Sequence, residues 1–65
     1  MTNAYATYEK LVGQITPEEF VAPFLAIAFS LEGALNLAIE ELNNIWVVSD
    51  NAADDIRAYV ISKLS

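Results

Sequence analysis

The sequence predicts an all-α domain: a helical hairpin made of a long central helix kinked at Pro23 and a C-terminal helix, preceded by a short N-terminal helix. The expected assembly is an intertwined or bundle-like homodimer. Three observations carry this expectation. Apolar residues recur at helical spacing through most of the chain. Helix-start residues stand at Asn3, at Thr16 and at Ser49 or Asp50. Between Phe20 and Ile39 there is a single charge, Glu32, so that segment needs cover on every side.

The first helix is expected from Asn3, as its cap, to about Gln14. Tyr5, Tyr8, Val12 and Ile15, with Leu11 beside them, make one apolar stripe, and Gly13 fits a terminator. The two tyrosines are read as packing residues with their hydroxyls at the edge. Thr16-Pro17-Glu18-Glu19 is the strongest local signal. Thr16 can cap, Pro17 suits the first helical position, and the two glutamates favour the positive helix end, with Glu19 completing a capping box. Pro23 then falls at the seventh helical position, where the lost N–H kinks the helix or restarts it.

Beyond Pro23, Phe20, Phe24, Ile27, Leu31, Leu35, Ala38, Leu42 and Ile45 fall in one arc, with Ala28, Ala34, Ile39 and Trp46 at its margins. Asn36, Glu40, Asn43 and Asn44 lie opposite, so the second half is amphipathic. In the first half Leu25, Ala26 and Phe29 occupy the face that should be polar. An unbroken helix over residues 17–47 is about 45 Å long, against a diameter near 28 Å for a compact chain of this size. A second copy covering the overhang explains both features, and it places the dimer interface at Phe20, Phe24, Leu25, Ile27, Phe29 and Leu31. Gly33 would let another helix approach closely. The last helix is expected over residues 50–64, with Asp50, Asp54 and Asp55 in its first turns and Lys63 in its last. Its stripe is Ala52, Ala53, Ile56, Tyr59, Val60 and Leu64, and the short connection before it implies an antiparallel hairpin with the long helix.

Composition narrows the class of function. Sixty-five residues make one small domain of marginal stability, for which the usual supports are disulfides, a metal or oligomerisation. With neither cysteine nor histidine in the chain, disulfides and the common zinc, iron–sulfur and haem ligand sets are excluded. Oligomerisation is what remains. Lys10, Arg57 and Lys63 face nine acidic residues, a net charge of −6 that repels phosphate backbones and anionic membranes and suits a partner with a basic surface. The same acidity also keeps an apolar chain in solution. Lack of cysteine suits a reducing cytosol, and the first residues show neither a basic start nor an apolar run, so a cytoplasmic protein is expected.

No chemistry-bearing constellation emerges. Glu40 and Glu41 point about 100° apart on a helix and cannot face one substrate together. Asp50, Asn51, Asp54 and Asp55 fail as a calcium loop, because Ala52 takes a ligand position, Asp55 stands at the sharp-turn glycine and Ile61 takes the bidentate position. Ser30, Ser49 and Ser62 have no activating base, and Gly13 and Gly33 are too far apart for a phosphate loop. Residues 21–39 approach the length of a membrane span, but Glu32 near the middle costs on the order of 3 kcal/mol, and acidic pairs replace the basic anchors at both ends. Neither enzyme activity nor a cofactor or metal is therefore expected.

Recognition through surface is left. Leu25, Phe29 and Leu37 lie off the main stripe, and Leu37 with Glu40, Asp50, Asp54 and Asp55 forms the expected partner-binding set. The expected function is a small acidic adaptor or inhibitor that binds and modulates another protein. An acidic mimic of nucleic acid that blocks a transcription regulator or nuclease is the first alternative, and a structural subunit of a larger assembly is the second.

Overall fold

In the computed structural model, which describes residues 4–64, the chain forms four helices and, among the described residues, no strand. They are α1 (Ala4–Leu11), α2 (Pro17–Leu25), α3 (Leu31–Asn43) and α4 (Asp50–Leu64). The expected cap at Asn3 lies outside the described residues.

Helix α1 ends as the glycine predicts. The Val12 and Gly13 amides donate to the carbonyls of Tyr8 and Glu9, at 2.7 and 3.1 Å. Gly13 then takes φ of +91°, the left-handed region that a residue with a Cβ resists. At the start of α2 the Glu19 amide donates to Thr16 Oγ1 at 3.2 Å. The Glu19 carboxylate accepts from the Thr16 hydroxyl at 3.0 Å, where an ordinary capping box would have it take the cap residue's N–H.

Residues 16–48 form two helices, in place of one kinked at Pro23. Pro23 sits inside α2, which runs two residues further and closes with the Ile27 and Ala28 amides both donating to the Phe24 carbonyl. The chain turns over residues 26–30. Ser30 then starts a new helix from an extended backbone (φ −148°, ψ 159°), its Oγ accepting the Gly33 amide at 3.0 Å, with Glu32 in the first turn. At Gly33 a Cβ would meet Ser30 Oγ at 3.3 Å and the Ala28 Cβ at 3.4 Å, so the neighbours of this glycine within the chain are its own cap and the preceding turn.

At the other end of α3 the Ile45 and Trp46 amides both donate to the Leu42 carbonyl, and Asn43 Oδ1 accepts the Val48 amide at 3.0 Å, which ties down the connection. Ser49 caps α4, its Oγ taking the Ala52 amide at 3.1 Å and its carbonyl the Ala53 amide at 2.9 Å.

Helix α2 packs on α3 and α1 packs on α4, and α4 joins the two pairs by meeting α2 and α3. The closest partner of α4 is thus α1, where the short connection suggested the central helix. The largest fully buried side chains are Val21 from α2, Leu35 from α3, and Ile56 and Val60 from α4. Tyr8 closes this core from α1, and Ala34, Ala38, Ile39, Leu42 and Ala53 complete it. The molecule measures 33 × 25 × 20 Å, so the overhang that a single long helix would have created is absent.

Truncating Ile56 to alanine removes a side chain with no exposure and is expected to cost about 2–5 kcal/mol, enough to unfold a marginal domain outright. Ile45→Ala, at a site 72% exposed, is expected to stay within about 0.5 kcal/mol of the parent. Ser30→Ala, by removing a cap, is expected to cost about 1 kcal/mol. Urea unfolding followed by circular dichroism ranks the three.

Candidate functional site

Two grooves and one apolar corner are candidates for recognition. The first groove runs between α3 and α4, has a volume of about 540 Å³, and takes Asn36, Glu40 and Asn43 from one wall and Asp50, Asp54 and Arg57 from the other. Arg57 spans it: Nε donates to Asn36 Oδ1 at 3.0 Å and Nη1 pairs with Asp54 Oδ1 at 3.4 Å. Both charged side chains of that pair are solvent-exposed, so it contributes little to stability. Three carboxylates against one guanidinium leave the groove acidic.

Of the partner-binding residues read from the sequence, Glu40, Asp50 and Asp54 converge here. Asp55 does not. Its Oδ2 accepts from Thr7 Oγ1 at 3.1 Å across the α1–α4 contact, and the side chain is half-buried. Leu37 is half-buried rather than a free surface leucine. Among the described residues no three acidic, histidine or cysteine side chains come together as a metal cluster.

The residues expected at the dimer interface divide into two sets. Phe20, Phe24 and Leu31 are half-buried and pack against the chain's own core. Leu25, Ile27 and Phe29 stand exposed at the turn between α2 and α3, with Phe29 fully solvated. Leu25 closes α2, and Ile27 and Phe29 lie in the turn that follows it, so the three share one corner.

The second groove was not foreseen. Leu11 and Ile15 form one side, Phe24 and Leu42 the floor, and Ile45 and Trp46 the rim, around about 330 Å³. Glu41 is its acidic edge. Ile45, Trp46 and the neighbouring Val47 are exposed, although the extrapolated helical arc places Ile45 on the core side and Trp46 at its margin. The Asn43-Asn44 pair, weak helix formers that favour turns, was the available signal that the arc stops there.

Tyrosines line the α1–α4 contact. The Tyr8 ring lies 4.8 Å from Tyr59 and meets Phe20 edge-on at 5.9 Å, while Tyr5 lies 5.5 Å from Tyr59. Lys63 Nζ sits 5.6 Å above the Tyr59 ring. The Tyr8 hydroxyl donates to the Ile15 carbonyl, and the Tyr5 hydroxyl donates to the Glu9 carboxylate. Burial, then the charges of Tyr59 and Glu19, push the Tyr8 hydroxyl up to about 12. The hydrogen bond to Glu9, then its charge, raises that of Tyr5. Both hold their protons at neutral pH; Tyr8 is a packing residue with a polar tip, as expected, whereas Tyr5 is 51% exposed and lies outside the core.

No family model, curated protein or solved structure matches the chain. Among the described residues no helix is long and apolar enough to cross a membrane.

Because the folded Tyr8 hydroxyl titrates above its ordinary value of 10.0, its contribution to stability is complete below that pH and is lost as pH rises towards about 12. Tyr8→Phe gives up the hydrogen bond to Ile15, about 1 kcal/mol at neutral pH, and removes this alkaline loss. Urea midpoints at about pH 8 and about pH 11 are expected to differ less for the variant than for the parent.

Proposed function

We propose that the protein is a small non-enzymatic module of the cytoplasm that binds and modulates another protein, and that it works as a homodimer. The observation that carries the reading is the amount of large apolar surface left outside a well-formed core: Leu25, Ile27 and Phe29 at one corner, Ile45, Trp46 and Val47 at another. Surfaces of that kind mark interaction sites in proteins that stay in solution. Without histidine or cysteine the chain also lacks the groups that most often activate a nucleophile.

The corner at Leu25, Ile27 and Phe29 is the proposed subunit contact. No charged residue falls between Phe20 and Leu31, so two copies of net charge −6 can meet there without opposing carboxylates at its centre. Light scattering at micromolar concentration is expected to give twice the 7.1 kDa chain mass. Phe29→Asp, at a fully solvated position, is expected to keep the helical circular dichroism and give the monomer mass. A parent protein that is monomeric, or a Phe29→Asp variant that stays dimeric, overturns this contact.

The groove holding Glu40, Asp50 and Asp54 favours a second reading, in which its carboxylates occupy the basic cleft of a nucleic-acid-binding protein. Binding of that kind weakens steeply with salt, whereas docking through apolar surface does not. Titration of a captured partner at two salt concentrations separates the readings.

A further inference from the structure

We infer that the groove rimmed by Ile45 and Trp46 is the docking site for a basic amphipathic helix of a partner protein. This rests on the protein-binding reading and deepens it by naming the surface and the chemistry of the occupant.

The groove is apolar along its floor, where Phe24 and Leu42 lie half-buried and buried, and it holds about 330 Å³. That is room for two or three aliphatic side chains projecting from one face of a helix. Trp46 stands on the rim at 54% exposure, and tryptophan is the residue most enriched where truncation costs binding energy.

Charge selects the partner. Helix α3 ends with Glu40 and Glu41 in its final turns and no basic residue there. Carboxylates at the negative pole of a helix are unfavourable, and a cation supplied from outside relieves them. Glu41 lies at the groove edge, where its carboxylate can pair with a lysine or arginine that flanks the docked aliphatic face. The Trp46 ring, on the same groove, offers a surface over which such a cation is also stabilised.

A second copy of the chain meets this requirement poorly. Its lysines and arginines number three; Arg57 is held by Asn36 and Asp54, and Lys63 lies over Tyr59. Lys10 alone would have to serve a rim whose counterpart carries net charge −6.

Trp46 is the single tryptophan of the chain, so its emission reports on this groove alone. The probe is a synthetic helix of leucine and lysine with leucines at i, i+3, i+4 and i+7. Its control has the same composition in an order that leaves no apolar face. Titrating the full chain is expected to give a saturable blue shift with the amphipathic helix and binding at least about tenfold weaker with the control. Ile45→Ser is expected to weaken binding about tenfold, and Glu41→Gln about threefold with a shallower salt dependence. Both sites are exposed, and circular dichroism confirms that the variants fold.

Equal binding of the two peptides, or an Ile45→Ser protein that binds like the parent, overturns the site while leaving the protein-binding reading intact. A Trp46 emission that shifts to the red on dilution, in step with loss of dimer mass, assigns the groove to a second copy and overturns the inference. A shift with zwitterionic lipid vesicles and none with the peptide overturns it in favour of a lipid surface. Absence of any peptide binding to a protein that is also monomeric removes the protein-binding reading itself.

Discussion

The reversal of the chain over residues 26–30, which ends α2 and starts α3 at the Ser30 cap, is the constraint on which the rest of the structure depends. Val21 and Leu35 are fourteen residues apart, which on a continuous helix would separate them by about 21 Å along the axis. With the chain folded back at Ser30 they enter one core, both fully buried, with Ile56 and Val60 of α4. The turn that permits this spans only residues 26–30 and lies on the outside of the fold, so Ile27 and Phe29 are carried out with it, next to Leu25 at the exposed end of α2. Their exposure follows from the break: no single chain of this length could have covered a helix apolar on every side.

What could be read in the sequence was what is decided locally. The caps at Thr16 and Ser49 and the terminator at Gly13 act within one turn of backbone and were legible from a few residues each. The α4 stripe was legible too, with Ala53, Ile56 and Val60 all buried. The break at Ser30 was not, because α2 and α3 each carry an apolar stripe and the helical period of the sequence continues between them. Its signal was short: a serine cap with Glu32 one position too early for a capping box. The same extrapolation past Asn43 puts Ile45 in the core arc and Trp46 at its margin, and hides the groove they rim. The pairing of α1 with α4 depends on Tyr8 and Tyr59 meeting across most of the chain length, a contact that no local pattern encodes. Of the candidate surfaces, the acidic groove was visible as a set of residues, though Asp55 turned out to face α1 instead.

The end of α3 connects the two grooves. Consecutive residues on a helix diverge by about 100°, which is why Glu40 and Glu41 cannot share a substrate. The same divergence sends Glu40 into the groove between α3 and α4 and Glu41 to the edge of the apolar groove. One helix end, with its partial negative charge and no cation of its own, therefore contributes to the potential of both surfaces. A positive group brought to either one would relieve part of the repulsion felt at the other, so a basic helix docked in the apolar groove would also lower the negative potential of the acidic groove. Arg57, which already spans the acidic groove to Asn36 and Asp54, offsets one of the two carboxylates of the far wall and leaves Asp50 there, with Glu40 and Glu41 at the end of α3, as the acids that an incoming cation meets.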